Sequence, residues 1–171
     1  MTERALTGKA ALITGGSRGI GAATAVRLAR EGADVAISYQ ASAEKAQEVV
    51  KAIEAHGVRG VAFAADQADP EQAARLVDSV VDAFGRLDLL VNNAGVFVTG
   101  QVDAEDADVA AFDRQFAVNV QGVAATTRAA VRVMGEGGRK PSTVPAGSRS
   151  RRTGHGAGLP DPVRGRGLDD V

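Results

Sequence analysis

The sequence predicts an α/β fold, in which a doubly wound parallel sheet carries helices on both faces. Three observations predict it: short apolar runs alternate with longer stretches of helical periodicity, glycines separate the first run from the first helix, and asparagines directly follow the fourth run. Alternating strands and amphipathic helices are typical of parallel sheets, because the crossover helices cover both faces. A ligand is then expected at the carboxyl ends of the strands.

The first strand and the first helix are joined by a glycine turn, residues 14–21, which reads T-G-G-S-R-G-I-G. Ala10–Ile13 has the continuous apolar character of a buried strand, and Ala22–Arg30 is helical in pattern. Glycine lets the backbone approach a diphosphate, and the N–H groups at a helix N-terminus attract anions. We therefore expect the turn to bind a dinucleotide; the alternative is a purely structural turn. The candidate cofactor-binding residues here are Thr14, Gly15, Ser17, Arg18, Gly19, Ile20 and Gly21.

The rest of the chain continues the alternation, and we expect the four strands to follow the doubly wound order 3-2-1-4. The later strands are predicted at residues 33–38, 58–65 and 87–91, and the next helices at 42–55 and 70–84. Asp69 precedes Pro70 and is expected to cap the third helix. Residues 108–134 are predicted to form one long helix or two helices in line. Their apolar stripe consists of Val109, Phe112, Phe116, Val120, Val123 and Thr127.

Two further motifs accompany the glycine turn. Asn92-Asn93-Ala94-Gly95 follows the fourth strand, and Asn119 lies in the phrase F-A-V-N-V-Q-G of the long helical stretch. The glycine spacing is G-x-x-x-G-x-G, which differs from the commoner Rossmann pattern G-x-G-x-x-G. With Thr14 and both asparagine motifs, residues 5–138 resemble the short-chain dehydrogenase/reductase family, with the 3-oxoacyl-acyl-carrier-protein reductases as the most similar branch.

The resemblance implies roles for residues at the ends of the third and fourth strands. Asn92 would steady the central strands, and Ala94 and Gly95 would let the adenosine ribose lie against bare backbone. Asp66, with Gln67 beside it, occupies the family position that reaches the adenine. The alternatives are an asparagine-rich turn at 92–95 and an Asp66 that only caps the next helix.

The resemblance also implies a catalytic role for Asn119, which would hold a water that passes protons to the catalytic lysine. The alternative is that the Asn119 side chain only satisfies a backbone carbonyl. No metal ligand set is expected. His56 and His155 are interpreted as exposed residues without a catalytic role.

The cofactor is predicted from the end of the second strand, where Ser38 and Tyr39 are followed by Gln40. Enzymes that prefer NAD usually place an acidic residue there to bind the ribose 2′-hydroxyl. With no acid to repel a 2′-phosphate, and with Arg18 in the glycine turn, NADP(H) is favoured over NAD(H). The alternative for Arg18 is a solvated loop arginine.

The family pattern stops after residue 139. The resemblance implies a further strand that ends in a serine, followed by Y-x-x-x-K, yet the chain's only tyrosine is Tyr39. We expect residues 1–139 to form an incomplete dinucleotide-binding domain and residues 140–171 to form a disordered tail, read from an altered frame or a replaced 3′ end. This chain is then expected to be a catalytically impaired NADP(H)-dependent oxidoreductase of small carbonyls or alcohols, or a remnant that only binds the dinucleotide.

The remaining sequence features restrict partners and location. Without cysteine no disulfide is possible, so cysteine usage does not indicate a compartment. Residues 2–4 resemble no signal peptide and no apolar run approaches the ~20 residues of a membrane span, so a cytoplasmic protein is expected. The basic tail allows a nucleic-acid module, which is disfavoured because the tail has no aromatic side chain to stack on bases. Self-association is expected through the exposed edge of the fourth strand and through helix 108–134.

Overall fold

The computed structural model describes residues 4–99 and 108–135. Four parallel strands form one sheet of order β3-β2-β1-β4, which confirms the predicted fold class and strand order. The strands are β1 (Ala10–Ile13), β2 (Asp34–Tyr39), β3 (Gly60–Ala64) and β4 (Leu89–Val91). In the register, Leu12 of β1 pairs with Ala36 of β2 and with Leu90 of β4.

Helices connect the strands and cover both faces of the sheet. They are α1 (Gly19–Arg30), α2 (Ala43–Glu54), α3 (Pro70–Phe84), α4 (Val109–Phe116) and α5 (Val123–Val133). A π-helical segment, Ala117–Gly122, joins α4 to α5 without a break in helical backbone conformation. The long helical stretch is therefore one continuous helix, which is the first of the two predicted alternatives.

The core lies on both sides of β1. Ala10 and Leu12 pack with α3 and α5, whereas Ala11 and Ile13 pack with α1 and α2. All four residues of β1 are buried, because alternate side chains of a central parallel strand meet a helix layer on each face. The glycine turn is thus anchored to the most buried strand of the sheet.

Helix α3 begins and ends at the predicted residues. The Asp69 carboxylate accepts hydrogen bonds from the backbone N–H groups of Glu71 and Gln72, and Gly85 ends the helix at φ +79°. Hydrogen bonds from the side chain and backbone of Gln72 hold the pKa of Asp69 below its ordinary value. Asp69 is therefore the cap of α3, and Asp66 is not.

The long helix buries a different face from the predicted apolar stripe. In that stripe Val109, Phe116 and Val120 are 65 %, 57 % and 47 % exposed. The buried residues instead recur every four positions and are Val118, Gly122, Thr126 and Ala130. This face is lined largely by small residues, because α5 lies close against α3 and the π-helical segment lies against Gln67.

Candidate functional site

The carboxyl ends of the four strands surround one cleft of about 480 Å³. It brings together twelve predicted site residues: Gly15, Ser17, Arg18, Gly19, Ile20, Gly21, Ser38, Tyr39, Asp66, Gln67, Ala94 and Gly95. Residues without a predicted binding role also line it, namely Gln40, Ala41, Ser42, Ala65, Asn93, Val96 and Val118. Thr14, Asn92 and Asn119 do not line the cleft, although they were predicted as site residues.

The glycine turn packs so closely on the loop after β4 that side chains would not fit. A Cβ on Gly15 would lie 2.8 Å from the Cα of Ala94, and one on Gly21 would lie 2.5 Å from Nδ2 of Asn93. Gly15 and Gly19 also have positive φ angles of 66° and 56°. Because of these glycines, backbone atoms rather than side chains form this wall of the cleft.

The N-terminus of α1 opens into the same cleft. Arg18 occupies the N-cap position, provides no side-chain cap, and is followed by no acidic residue in the first turn. The positive end of the helix dipole and its first N–H groups are thus available to an anion. Among the described residues that line the cleft, Arg18 is the only basic one and Asp66 the only acidic one.

Hydrogen bonds of Thr14 and Asn93 hold the glycine turn against the loop after β4. Thr14 is fully buried, and its Oγ1 accepts hydrogen bonds from the backbone N–H groups of Asn93 and Ala94, both at 3.0 Å. The Asn93 amide donates in return to the carbonyl oxygens of Thr14 and Gly15, at 2.9 and 3.0 Å. Thr14 thus shapes the cleft without lining it.

Sequence reasoning gave Asn93 no binding role, because its partners lie 78 and 79 residues away. The only available signal was its place in the phrase N-N-A-G. Asn92, its neighbour, is buried and donates from Nδ2 to Thr127 Oγ1 at 3.1 Å. Asn92 therefore ties the end of β4 to α5.

At the end of β2, Ser38 fixes the first residues of the glycine turn. Its Oγ accepts from Gly15 N at 3.1 Å, and its carbonyl oxygen accepts from Gly16 N at 2.8 Å. Tyr39 is half-buried and Gln40 is exposed, and neither side chain is a carboxylate. The wall at the end of β2 is therefore polar and without a carboxylate.

Asp66 and Gln67 form the wall after β3. Asp66 Oδ1 accepts from Ala68 N at 2.9 Å, and Arg114 of α4 forms an ion pair with the same carboxylate. Gln67 is buried and donates from Nε2 to Thr126 Oγ1 at 3.0 Å. No local signal in the sequence predicts the contact with Arg114, since it joins residues 48 positions apart.

The side chain of Asn119 binds the loop after β4. Its Oδ1 accepts from Val96 N at 3.0 Å, and its Nδ2 donates to Val96 O at 2.8 Å. Both polar atoms of this amide are therefore engaged by one backbone residue. This geometry agrees with the alternative in which Asn119 satisfies a backbone carbonyl.

With this geometry in place, comparisons with known proteins identify the family. The sequence model of the family described as short chain dehydrogenase matches residues 9–149. The chain belongs to the short-chain dehydrogenase family. A short-chain dehydrogenase/reductase of Aspergillus novofumigatus, nsrJ, is 46% identical over 138 residues, which are 81% of this chain and 52% of that relative.

Versicolorin reductase 1 of Aspergillus parasiticus is 46% identical over 134 residues, which are 78% of this chain and 50% of that relative. A crystal structure of a short chain dehydrogenase from Burkholderia cenocepacia in complex with NADP shares 55% identity at a TM-score of 0.77, covering 80% of this chain and 55% of that one. A blue fluorescent protein from a metagenomic library, in complex with NADPH, shares 40% identity at a TM-score of 0.76, over 80% and 56% of the two chains.

The chain spans about half the length of the curated relatives it matches. The comparisons show the family, whereas the finer likeness to 3-oxoacyl-acyl-carrier-protein reductases stays a prediction. The predicted tail, residues 140–171, lies outside the described residues. Within the described ranges, no helix is long and apolar enough to cross a membrane, and no three His, Cys, Asp or Glu side chains are grouped to hold a metal ion.

Proposed function

We propose that this short-chain dehydrogenase chain binds NADP(H) in the cleft at the carboxyl ends of its strands. The observation that carries the proposal is the close packing of the glycine turn on Asn93 and Ala94, which leaves bare backbone and an uncapped helix N-terminus facing the cleft. A dinucleotide diphosphate needs this combination of close approach and free N–H donors. The NADP and NADPH complexes of two similar structures support the same ligand class.

The residues of the cleft fit a dinucleotide when its parts are distributed along the four strand ends. The glycine turn would hold the diphosphate on the first N–H groups of α1. Ala94 and Gly95 would contact the adenosine ribose, and Asp66 with Gln67 would contact the adenine.

Arg18 and the uncharged end of β2 support NADP(H) over NAD(H). Arg18 lines the same cleft as Ser38 and Tyr39, and no carboxylate lies at this strand end. A 2′-phosphate would be attracted by Arg18, whereas an NAD-binding site usually presents an acid to the 2′-hydroxyl here.

In the family, the bound nicotinamide ring supplies or accepts a hydride when a small carbonyl or alcohol reacts. We propose that this chain retains the binding function and has lost efficient hydride transfer. Tyr39 is the only tyrosine of the 171 residues and the residue four positions after it is Ala43, so these residues contain no Y-x-x-x-K pair. Loss of a general acid alone reduces a rate by roughly 10²–10⁴.

We further propose that two copies of the chain associate through the exposed apolar side chains of the long helix. Phe116, Val120 and Val131 present large apolar side chains that are 57 %, 47 % and 47 % exposed. A second copy would remove this apolar surface from water by presenting the same face.

The binding proposal is tested by fluorescence titration of the full chain with NADPH, using two matched glycine variants. Gly15→Ala places a Cβ against Ala94 and should abolish measurable binding. Gly57→Ala provides the control, because Gly57 has a similar positive φ, 76°, but no heavy atom within 4 Å of its added Cβ. Equal NADPH affinity of the two variants would contradict the proposal.

A further inference from the structure

Arg114 of α4 and Asp66 at the end of β3 form an ion pair beside the cleft. Arg114 NH2 lies 3.1 Å from Oδ1 and 3.3 Å from Oδ2 of Asp66, and NH1 lies 3.4 Å from Oδ2. The two side chains are 42 % and 30 % exposed. Both terminal nitrogens of the guanidinium thus contact one carboxylate, which restricts the rotation of that carboxylate more than a single contact would.

The contacts of Asp66 differ between its two carboxylate oxygens. Oδ1 accepts from Ala68 N at 2.9 Å and from Arg114 NH2 at 3.1 Å. Among the described residues, Oδ2 is bound by Arg114 alone, and these two contacts are longer, at 3.3 and 3.4 Å. Because hydrogen bonds weaken with distance, Oδ2 is the oxygen better able to accept from a further donor, on a residue that lines the cleft.

The backbone around Asp66 is held independently of Arg114. Asp66 N donates to Gln72 Oε1 at 3.1 Å, and the next residue, Gln67, is bound by Thr126 of α5. Removing the Arg114 side chain should therefore leave the backbone in place and release mainly the Asp66 carboxylate.

We propose that Arg114 is a positioning residue that orients the Asp66 carboxylate toward the adenine 6-amino group of the bound dinucleotide. This inference rests on the proposed function, which places adenine at Asp66. The 6-amino group is a donor, and an ionised carboxylate only accepts, so the pair discriminates adenine from a base with an oxygen at that position. Arg114 acts on adenine recognition through Asp66 and does not itself touch the nucleotide.

A second ion pair of the molecule provides a matched control. Arg75 and Glu71 lie one turn apart on α3, at 2.9 Å, with side chains 74 % and 79 % exposed. Neither residue lines the cleft. Arg75→Ala therefore removes one guanidinium and one ion pair without touching the proposed adenine site.

The test compares NADPH with its hypoxanthine analogue, which carries an oxygen in place of the 6-amino group, by fluorescence titration of the full chain. Arg114→Ala should raise the Kd for NADPH about fivefold, the effect of one lost hydrogen bond, and should change the Kd for the analogue by less than about twofold. Arg114→Lys should restore part of the preference for NADPH over the hypoxanthine analogue, and Arg75→Ala should retain all of this preference. An unchanged preference in Arg114→Ala would overturn the positioning role.

A double-mutant cycle separates positioning from direct contact. In an Asp66→Ala background, Arg114→Ala should cause no further loss of NADPH affinity, because Arg114 then has nothing to orient. A loss that persists in this background would mean that Arg114 itself contacts the nucleotide, and the inference would be wrong.

Hydrogen exchange of the Ala68 amide tests the positioning in the free chain. Since this amide donates to Asp66 Oδ1, Arg114→Ala should speed its exchange about fivefold, whereas Arg75→Ala should not. If the unmodified chain binds neither nucleotide, the proposed function fails, but the exchange rate of the Ala68 amide still tests whether Arg114 positions Asp66. An unchanged exchange rate in Arg114→Ala would overturn this positioning role.

Discussion

Two hydrogen bonds join Thr14 to Asn93, and two more, from Ala94 N to Thr14 and from Asn93 to Gly15, help to hold the glycine turn and the loop after β4 together. Thr14 could be predicted as part of the site, because it lies directly between strand and glycines. The contribution of Asn93 could not, since it depends on the pairing of β1 with β4 in space. The same holds for Arg114, whose contact with Asp66 follows from helix packing and leaves no local pattern.

Arg18 is the residue whose replacement should change cofactor preference. Arg18→Ala should raise the Kd for NADPH about tenfold, because a charge-assisted hydrogen bond is lost, and the Kd for NADH by less than about twofold. Titrations at low, constant ionic strength measure both values. Arg27→Ala, at an exposed arginine of α1 paired with Glu31, is the control. Equal losses for the two cofactors would argue against a 2′-phosphate contact.

Asp88 should support the fold in a pH-dependent way. Its oxygens accept from Ala10 N at 2.9 Å and from Arg86 at 2.6 and 2.7 Å, and Lys9 lies 3.4 Å away. Burial alone would raise the pKa of Asp88, but the bonds from Arg86 and Ala10 and the charges of Arg86 and Lys9 outweigh burial and lower it. The stabilisation is therefore present above the unfolded pKa of about 3.9 and is lost as pH falls through the folded value.

Asp88→Asn should consequently lower the free energy of unfolding at pH 7 by about 1–3 kcal/mol, and the difference from the unmodified chain should shrink below about pH 4. Urea unfolding at both pH values measures it. Asp78→Asn, at an exposed position of α3, should have little effect at either pH. A difference that is equally large at pH 3 and pH 7 would contradict the role of the ionised carboxylate.

At the level of elements, the sequence predicts best where the signals are local. Helix α3 agrees with its predicted limits because Asp69, Pro70 and Gly85 act on the adjacent backbone. Helix α1 begins at Gly19, three residues before the prediction, because the last residues of the glycine turn are themselves helical.

Strands β3 and β4 are shorter than predicted, at five and three residues, since a strand ends where its neighbour stops pairing. The π-helical segment has no local sequence signal, and such segments often occur at functional sites. Here the Asn119 side chain binds the Val96 backbone and Gly122 packs against Gln67. One helix therefore contacts both the loop after β4 and the loop after β3.

Gly122 should be required where the π-helical segment meets the end of β3. A Cβ there would collide with the carbonyl oxygen of Gln67 and lie 2.9 Å from its Cγ. An ordinary helical Gly→Ala change stabilises by roughly 0.5–1 kcal/mol, but Gly122→Ala should destabilise by about 1–3 kcal/mol through overpacking. Thermal and urea unfolding measure the sign of the change in the free energy of unfolding. Gly135→Ala, where an added Cβ meets nothing within 4 Å, is the control, and a stabilising Gly122→Ala would contradict the contact.

At the scale of the whole molecule, the described part of the sheet ends at β4, and the long helix leaves Phe116, Val120 and Val131 exposed. The double variant Phe116→Gln, Val120→Gln should shift the chain toward monomer in sedimentation velocity, because it removes apolar area from the proposed contact between two copies. Phe97→Gln, at a phenylalanine that is 85 % exposed outside this helix, should not. A monomeric unmodified chain would contradict the proposed self-association.

This chain is proposed to hold NADP(H) without efficient hydride transfer. The most direct test is titration of the purified 171-residue chain with NADPH and then NADH, followed by the rate of NADPH oxidation with a generic β-ketoester. Binding of NADPH more tightly than NADH, with oxidation no faster than without protein, is the predicted result. Absence of NADPH binding, or sustained turnover by the chain itself, would contradict the claim.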